Sequence, residues 1–347
     1  MRIMGIAPAV PAQGMGIARA AAPATTAPST TNSLRVAQMN MWNLFDTVND
    51  PKTGDDASTP TAEQYAIKLE KISKAIAEMG LPDVISLNEI ENDTVVRDLI
   101  NTPALKEAGY DFVVLDKNND ERGIRTGVMF KKAKLEVAGV ETPNPAMSFP
   151  DGGRGEIDRS LLYARPPLVV DFRVRGAAQA ADGSDLLTIA VNHFKSKLGG
   201  DGPEARRQMQ GQYLGEWMDA RRATHPTGAT IVVGDLNALY GEGAYEKLVK
   251  RADGSTRFYD APLKMEADDR YTYIYRGQKD MLDHMMVTAG LEDAITGVKA
   301  MRFNTPKDAR KSQWDATTTA GYSDHDPLIV DFDLDKLLAK PSAAAAR

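Results

Sequence analysis

Two carboxylates flank a histidine in the stretch Gly-Tyr-Ser-Asp-His-Asp-Pro, which occupies residues 321–327. Asp324 offers hard oxygen atoms to a divalent cation, and His325 can transfer a proton or bind a phosphoryl oxygen near neutral pH. The alternating apolar residues 328–332 follow at once and predict a strand, which would place His325 at its mouth. Taken alone, the stretch is open to a structural interpretation, in which Ser-Asp caps a turn and His325 is a packing residue.

Three more apolar, strand-like runs end in a side chain that carries oxygen. The runs deliver Asn40 in Val-Ala-Gln-Met-Asn-Met-Trp-Asn, Glu89 in Val-Ile-Ser-Leu-Asn-Glu, and Asp235 with Asn237 in Val-Val-Gly-Asp-Leu-Asn. A buried strand normally stays apolar to its end, because an unpaired polar group loses hydration on burial. Repeated carboxylate and amide ends therefore indicate oxygen ligands that converge on one cleft.

A fourth polar group follows a buried strand at Asn192-His193-Phe194-Lys195, where an amide, an imidazole and an ammonium group stand close together in sequence. Such a group is more typical of a phosphate-binding lip than of a core edge. Arg125, at the base of another predicted strand, could also reach a phosphate. The alternative for Arg125 is a solvated surface charge, which is the commoner role of a lone arginine.

Asp283 is an acid inside the apolar run Met-Leu-Asp-His-Met-Met-Val, and an unpaired buried carboxylate costs several kcal/mol. A histidine partner is the economical explanation for its presence. His284, the next residue, should point to the opposite face of the sheet because side chains alternate along a strand. We therefore interpret His284 as structural.

The composition limits the possible chemistry. The 347 residues include 42 basic and 48 acidic side chains, a net charge of −6, which argues weakly against a surface built for polyanions. The chain contains no cysteine, so disulfides, thiolate nucleophiles and cysteine-ligated zinc are excluded. With only four histidines, an oxygen-ligated Mg²⁺, Mn²⁺ or Ca²⁺ is favoured over zinc. The sequence contains no apolar run long enough to predict a transmembrane segment.

The motifs lie within one predicted domain over residues 34–335, followed by a short disordered tail over 336–347. Residues 1–33 are rich in Ala, Pro, Thr and Gly, a composition that cannot form a core. Arg2 and the short apolar stretch after it are typical of an export signal, which would make the protein secreted or periplasmic. The alternative for residues 1–33 is a disordered extension of a cytoplasmic protein.

Strand and helix patterns alternate along the predicted domain. Thr61 and Gln64 fit a capping box and open a helix that Gly80 ends. Apolar periodicity predicts a second helix over 203–222 and strands over 34–41, 84–87, 112–115, 127–130, 168–174, 186–191, 230–233, 271–275 and 281–287. The strand, helix, strand order indicates helices layered on a sheet.

The order of the polar clusters resembles that of the endonuclease/exonuclease/phosphatase superfamily, which has the deoxyribonuclease I-like fold, and within it the bacterial extracellular nucleases. The similarity covers about residues 34–333 and depends on these motifs in the family's order: Asn40, Leu-Asn-Glu89, Asn192-His193, Gly-Asp235-Leu-Asn237, Leu-Asp283-His and Ser-Asp324-His325-Asp-Pro. The resemblance implies an α/β (α+β) fold, a four-layered α/β sandwich in which two mainly antiparallel sheets pack face to face with helices outside.

The resemblance also implies a metal site. Asn40, Glu89 and Asp324 match the family's divalent-metal ligands, with Mg²⁺ as the expected ion and Mn²⁺ or Ca²⁺ as alternatives. Asp283 matches the carboxylate that orients a catalytic histidine, which in this chain is His325.

Four further positions match groups that act on the phosphate in the family. Asp235 and Asn237 resemble the residues that position or deprotonate the attacking water and bind the scissile phosphate. His193 matches a second histidine that serves as an acid or as a phosphate ligand, and Arg125 is similar in placement to a phosphate-contacting arginine. Which histidine acts as acid and which as base stays open.

The resemblance implies a metal-dependent phosphodiester hydrolase, and we interpret it first as a nuclease that cleaves DNA and/or RNA. The Asn-His-Phe-Lys lip favours this interpretation, whereas the acidic balance and the lack of an aromatic and basic stripe oppose it. The alternatives are a phosphatase or a phospholipid or small-molecule phosphodiesterase on the same fold, and a non-catalytic binding module. Nucleic acid is thus the expected partner, and the sequence implies no protein partner and no oligomeric state.

Overall fold

The computed structural model describes residues 32–50, 59–116, 120–149, 161–177, 185–197, 201–224, 228–305 and 309–339. The predicted segment 1–33 lies outside these residues apart from its last two positions, and so does the predicted tail after residue 339. Within the described part of the chain, no helix has both the length and the apolar composition needed to cross a bilayer.

The described residues form fourteen strands: β1 (Ser33–Leu44), β2 (Val84–Ile90), β3 (Tyr110–Val114), β4 (Arg125–Lys131), β5 (Leu135–Glu141), β6 (Leu168–Val174), β7 (Leu187–His193), β8 (Ala229–Asp235), β9 (Phe258–Asp260), β10 (Tyr273–Tyr275), β11 (Gln278–Asp280), β12 (Asp283–Thr288), β13 (Ile295–Ala300) and β14 (Leu328–Asp333). The same residues form six α-helices: α1 (Ala62–Glu78), α2 (Asp93–Ile100), α3 (Asp201–Thr224), α4 (Gly243–Val249), α5 (Ala309–Ser312) and α6 (Leu334–Leu338). Short 3₁₀ turns cover Ala261–Lys264, Ala267–Asp269 and Glu292–Ala294.

Most of the strands build two six-stranded sheets. The first sheet has the order β13-β14-β1-β2-β4-β3, the second has the order β5-β6-β7-β8-β12-β9, and β10 pairs with β11 in a separate hairpin. Neighbouring strands are antiparallel except for one central pair in each sheet, β1 with β2 and β7 with β8. The chain crosses between the parallel strands through α1 and α3, because a parallel connection needs a crossover of a dozen or more residues.

Apolar side chains fill the space between the two sheets. On β1, Leu34 and Val36 belong to the buried cluster that both sheets share, whereas Ala37 and Met39 alternate to the outer face and pack with α1. Helices α3 and α4 cover the outer face of the second sheet in the same way. The layers are therefore helix, sheet, sheet and helix, and the predicted sandwich with mainly antiparallel sheets is confirmed.

Helix α1 shows how the local sequence sets the start of an element. The Thr61 side chain accepts a hydrogen bond from the Gln64 N–H at 3.2 Å, and the Gln64 side chain accepts one from the Thr61 N–H at 2.9 Å. The predicted capping box is thus confirmed. Ile72 and Ile76 then bury the apolar side of the helix against the first sheet.

The structure adds the strands β5, β9, β11 and β13, which no sequence pattern predicts. Strands β9 and β11 have three residues each, too few for an alternating pattern to stand out. Helix α6 continues the fold beyond residue 335, with Leu337 buried and the Asp333 carboxylate accepting a hydrogen bond from the Lys336 N–H at 3.1 Å. The folded domain therefore extends past its predicted end.

Candidate active site

Polar side chains from both sheets meet where the parallel strands end. Asn40 lies in the last half of β1 and Glu89 is next to the last residue of β2, whereas His193 and Asp235 are the last residues of β7 and β8. The Asn40 amide donates a hydrogen bond to Asp235 Oδ2 at 3.3 Å. His193 Nε2 lies 3.7 Å from Asp235 Oδ2 and 3.8 Å from Glu89 Oε1. Four positions predicted from separate motifs thus form one buried cluster.

Asp235 stands at the centre of this cluster. Its Oδ1 accepts a hydrogen bond from the Asn237 N–H at 2.8 Å, which leaves Oδ2 facing Asn40, His193 and, at 4.0 Å, His325 Nε2. Burial raises the pKa of Asp235 to about 7, although the charge of His325 acts to lower it. A carboxylate that ionises near neutral pH is well suited to accept a proton.

His325 is paired with Asp283, as the buried acid predicts. The ring Nδ1 donates to Asp283 Oδ2 at 2.7 Å, and the Thr272 hydroxyl donates to the same oxygen at 2.7 Å. Burial alone would lower the pKa of His325, but the charge of Asp283 and this hydrogen bond raise it well above its usual value. Burial likewise opposes the ionisation of Asp283, and the charge of His325 overcomes it and holds the pKa of Asp283 below its usual value. At neutral pH the pair is an imidazolium and a carboxylate.

His193 has the opposite protonation. Burial lowers its pKa well below the usual value, and the charges of Arg165 and Arg122 lower it further. Two histidines that stand near one carboxylate therefore carry different charges at neutral pH. Environments that separate the protonation states of neighbouring groups are typical of acid and base pairs in active sites.

The backbone departs from strand geometry at two of these positions. Glu89 has φ +59° and Asn237 has φ +47°, in the left-handed region that residues other than glycine rarely adopt. The pairing register of β2 shifts at the same place, between Asn88 and Ile90. Each such residue costs about 1–3 kcal/mol and persists only where its surroundings impose it. The kink at Glu89 frees its side chain from strict strand alternation and brings it to His193.

Gly234 explains the glycine in the Gly-Asp-Leu-Asn motif. Its φ is +146°, and a Cβ added there would lie 1.9 Å from the carbonyl oxygen of Asn192 on the neighbouring strand. No side chain fits in that space. Glycine therefore allows β7 and β8 to approach each other just before they deliver His193 and Asp235.

Asn40, Glu89 and Asp324, the predicted metal ligands, carry the amide and carboxylate oxygen atoms that Mg²⁺ prefers. Among the described residues, no three carboxylate or imidazole groups gather as a complete metal site. Mg²⁺ needs only one or two carboxylates, because waters and substrate phosphate supply its other ligands. The charges of Asp324 and Glu89 also act on the buried Lys68 ammonium group, whose pKa burial lowers to about 7. These two carboxylates favour the protonated form of Lys68, which burial disfavours more strongly.

The three predicted phosphate-binding residues, Lys195, Arg125 and Asn192, differ in their burial and in their hydrogen-bond partners. Lys195 is half-buried, and burial with the nearby charge of Arg165 lowers its pKa. Arg125 donates from Nη1 to the carbonyl oxygen of Glu91, while its buried Nε has no partner within the described residues. Asn192 is fully buried on the opposite face of β7 from His193, and its amide donates to a backbone carbonyl at 2.8 Å. The structure does not bring Asn192 into the cluster around Asp235.

Two arginines near the site escape the sequence patterns. Arg165 is buried, donates from Nη2 to the carbonyl oxygen of Phe194 at 2.8 Å, and forms an ion pair with Asp120. Arg122 donates from Nη1 to Asn43 Oδ1 at 3.0 Å, and its Nη2 lies 3.7 Å from Glu89 Oε1. Neither follows a predicted strand, so no periodicity marks them.

Asn88 is a third residue that sequence reasoning missed. Its Oδ1 accepts from the Gln38 amide at 2.7 Å and from the Asp235 N–H at 2.9 Å, so one side chain connects the two sheets. The signal was available, because Asn88 directly precedes Glu89 and alternation turns its side chain towards the second sheet.

His284 supports the site from the outer face of the second sheet, as its predicted structural role requires. Nδ1 pairs with Asp260 Oδ2 at 2.7 Å and Nε2 with the carbonyl oxygen of Ala238 at 2.9 Å. Because both partners only accept hydrogen bonds, the ring donates from both nitrogens and is protonated. Burial opposes this charge, but that of Asp260 raises the pKa of His284 above its usual value. The ring thereby anchors the loop that carries Asn237.

We expect His284→Phe to lower the free energy of unfolding by about 3–5 kcal/mol, because it leaves the Asp260 carboxylate buried without its counter-charge. The pKa of His284 is higher in the folded protein than in the unfolded chain, where it has the ordinary value of about 6.5. The contribution of His284 to the free energy of unfolding is therefore complete below pH 6.5 and is lost as pH rises through the folded-state pKa. The difference in the free energy of unfolding between the native protein and His284→Phe should therefore narrow at alkaline pH. Urea unfolding at several pH values measures this difference. The double variant with His284→Phe and Asp260→Leu should recover most of the lost free energy of unfolding. An equal loss in the single and double variants would contradict this account.

The fold is similar to that of several solved structures. The human nocturnin catalytic domain with bound sulfate anion matches with a TM-score of 0.57 at 17% identity, over 86% of this chain and 94% of that one. An endonuclease/exonuclease/phosphatase from Bacteroides vulgatus matches with a TM-score of 0.56 at 17% identity, over 87% and 99%. Truncated Caenorhabditis elegans TDP2 matches with a TM-score of 0.55 at 13% identity, over 87% and 98%. At these identities the likeness establishes the fold. No curated protein matches the chain in sequence.

The resemblance found in the motifs is confirmed by a match along the chain. The model of the Endonuclease/Exonuclease/phosphatase family matches residues 35–332, which begin in β1, end in β14 and include every residue of the Asp235 cluster. This chain therefore belongs to the endonuclease/exonuclease/phosphatase family.

Proposed function

We propose that this protein is a divalent-metal-dependent phosphodiester hydrolase whose substrate is DNA or RNA. The observation that carries the proposal is the cluster around Asp235 Oδ2, which has His193 at 3.7 Å and His325 at 4.0 Å. A neutral histidine, a protonated histidine and a carboxylate that titrates near neutrality are thereby held around one small space. Hydrolysis of a phosphodiester needs such groups to accept a proton and to neutralise developing charge.

The protonation states favour a division of roles. Asp235 is placed to accept the proton of the attacking water, whose oxygen bonds to phosphorus as the bond from phosphorus to the ester oxygen breaks. The departing oxygen leaves as an alcohol and takes its proton from solvent water. The protonated His325, oriented by Asp283, would donate a hydrogen bond to a phosphoryl oxygen and offset its charge. The Asn237 side chain and the neutral His193 would hold the phosphate in position. A divalent cation, held when bound by Asn40, Glu89 and Asp324, would add charge neutralisation.

Local charge supports a polyanionic substrate despite the net charge of −6. Asp120, which pairs with Arg165, partly offsets the local positive charge. The charges of Arg165, Arg206 and Arg122 all act on Lys195, so four cationic side chains lie in one region. We call these four residues the cationic rim. A cluster of one sign next to a cleft raises the local concentration of a substrate of the opposite sign. Lys195, Arg206 and Arg122, the members of the cationic rim that are not buried, would contact phosphates that flank the scissile one.

The test uses protein stripped with chelator and supplied with plasmid DNA, RNA or a chromogenic phosphodiester, with and without Mg²⁺, Mn²⁺ or Ca²⁺. We expect metal-dependent cleavage of the polymers that falls steeply as salt rises, because binding several phosphates releases counterions. Hydrolysis of the small ester alone, indifferent to salt, would move the substrate to a phospholipid or small phosphoester. Inertness towards all three would favour a non-catalytic binding module.

A further inference from the structure

A cavity of about 310 Å³ lies beside the candidate active site. It is bounded by the end of β1, the start of α1 and residues 313–314, and its wall includes four aromatic side chains, Trp42, Phe45, Tyr65 and Trp314. This volume is at the lower end of the range for pockets that bind small organic groups. The cavity therefore suits one ring system with its sugar.

Two residues of the cavity wall, Trp42 and Asn43, contact the proposed metal ligands Asn40 and Glu89. Lys68 Nζ donates to the carbonyl oxygen of Trp42 at 2.9 Å and lies 5.3 Å from the centroid of the Trp42 ring. The same ammonium group is close enough to Asp324 and Glu89 for their charges to act on it. Asn43, another residue of the wall, donates its N–H to Glu89 Oε2 at 3.1 Å. A group in the cavity would be the neighbour of a phosphate bound at these carboxylates.

The backbone that carries Trp42 adopts a conformation that bulky residues rarely adopt. Trp42 has φ +48° and Asn43 has φ +56°, both in the left-handed region. This unfavourable turn is held in place from the metal side, because the Trp42 N–H donates to Asn40 Oδ1 at 2.8 Å and the Asn43 N–H to Glu89. The position of the Trp42 side chain is thus tied to that of the proposed metal ligands.

The remaining groups of the wall match a heterocycle. Gln64 and Gln313 add two carboxamides, which can pair with the donors and acceptors on the edge of a base. Trp314 is 41% exposed, and exposed aromatic rings are stacking platforms for unpaired bases. Lys68 is the one charged side chain on the described part of the wall. A neutral ring suits the cavity, while the charged phosphate suits the cleft beside it.

We propose that this cavity binds the nucleobase next to the scissile phosphodiester, stacked on Trp42 and Trp314. The proposal rests on the proposed phosphodiesterase function, since the phosphate of the same nucleotide would occupy the cluster around Asp235. It also specifies the substrate. A base can stack on the rings of this cavity only when it is unpaired, so the protein acts on single strands or strand ends in preference to a fully paired duplex.

Tryptophan fluorescence tests the proposal without turnover. The chain has three tryptophans, and two of them line the cavity. We would titrate the full-length protein, with chelator present, with adenosine 5′-monophosphate, phenyl phosphate and ribose 5-phosphate. Saturable quenching is expected with the nucleotide, weaker quenching with phenyl phosphate, and none with ribose 5-phosphate. Trp314→Ala should raise the Kd for the nucleotide by about 5- to 150-fold, the usual range for loss of one stacking ring.

Two further variants complete the test. Trp314→Phe keeps a ring to stack on and should restore most of the affinity, and Trp217→Phe removes the tryptophan outside the cavity and should leave the Kd unchanged. Equal affinity for the nucleotide and ribose 5-phosphate, equal affinity for the nucleotide and phenyl phosphate, or an unchanged Kd in Trp314→Ala would each overturn the base site. Polymer hydrolysis without base binding would overturn this inference and leave the proposed function standing. Base binding without hydrolysis of any ester would support the cavity's ligand and overturn the proposed function.

Discussion

Asp235→Asn is expected to lower kcat for phosphodiester hydrolysis by about 10³-fold, within the 10²–10⁴ range that a positioned base contributes. The amide oxygen can still accept the hydrogen bond from the Asn237 N–H, which is 2.8 Å long in the native site, so the loop should keep its shape. The amide cannot accept the proton of the attacking water. Initial rates with a saturating chromogenic phosphodiester measure the effect, and a loss of less than tenfold would remove Asp235 as the base.

The pH dependence separates a lost base from a disturbed fold. Because burial raises the pKa of Asp235 to about 7, kcat/KM of the native protein should rise with pH through an acidic limb at or below that value, a bound cation lowering it. Asp235→Asn should lack this limb. Asp331→Asn is the matched control, since Asp331 lies outside the cleft and forms an ion pair with Arg35 at 2.7 Å. This variant should keep the native kcat and the acidic limb of the pH profile. If Asp235→Asn kept the acidic limb of the native pH profile, the general base would be another group.

Glu89→Gln is expected to raise the Mg²⁺ concentration for half-maximal activity by about 10–100-fold. Replacement of residues that only hydrogen-bond to a metal ligand already lowers metal affinity by this factor. Glutamine keeps the oxygen that accepts the Asn43 N–H at 3.1 Å but removes the negative charge that a hard cation prefers. Binding of Mn²⁺, followed by the electron paramagnetic resonance of the free ion, reads the same loss without turnover.

Glu91→Gln is the matched control for the metal experiment. Glu91 lies two positions further along the chain, and its side chain accepts the Asp46 N–H at 2.7 Å, a hydrogen bond that glutamine can also accept. Its Mn²⁺ affinity should equal that of the native protein. If Glu89→Gln also kept both its Mn²⁺ affinity and its Mg²⁺ requirement, Glu89 would not be a ligand.

Sequence patterns reveal the part of the site that stands at strand ends. Asn40 and Asp235 interrupt apolar runs, and burial of such groups is unfavourable unless a partner or a function compensates it. The same reasoning assigns Asp283 a histidine partner, and the structure supplies His325 at 2.7 Å. The interruption of an apolar run is visible in the local sequence, whereas the contact of Asn40 on the first sheet with Asp235 on the second depends on how the two sheets pack.

The rest of the site depends on features that the local pattern does not contain. Arg165 follows no strand, and the left-handed φ of +59° at Glu89 is unusual for its residue type. Asn192 is a different case, because the alternation rule that assigns His284 to the outer face assigns Asn192 there as well. The cavity joins residues 42–68 with residues 313–314, which lie far away in sequence, so only the fold brings Trp42 and Trp314 to one place.

The two sheets draw on the chain in different ways, and this affects when the site can exist. The second sheet comes from one continuous stretch, β5 to β12, whereas the first takes β1 to β4 from before that stretch and β13 and β14 from after it. Because segments emerge from the ribosome in order, the first sheet stays open at β1 until β14 arrives. The residues just before β14 are Asp324 and His325. The cluster around Asp235 therefore gains His325 only after all its other members have been synthesised.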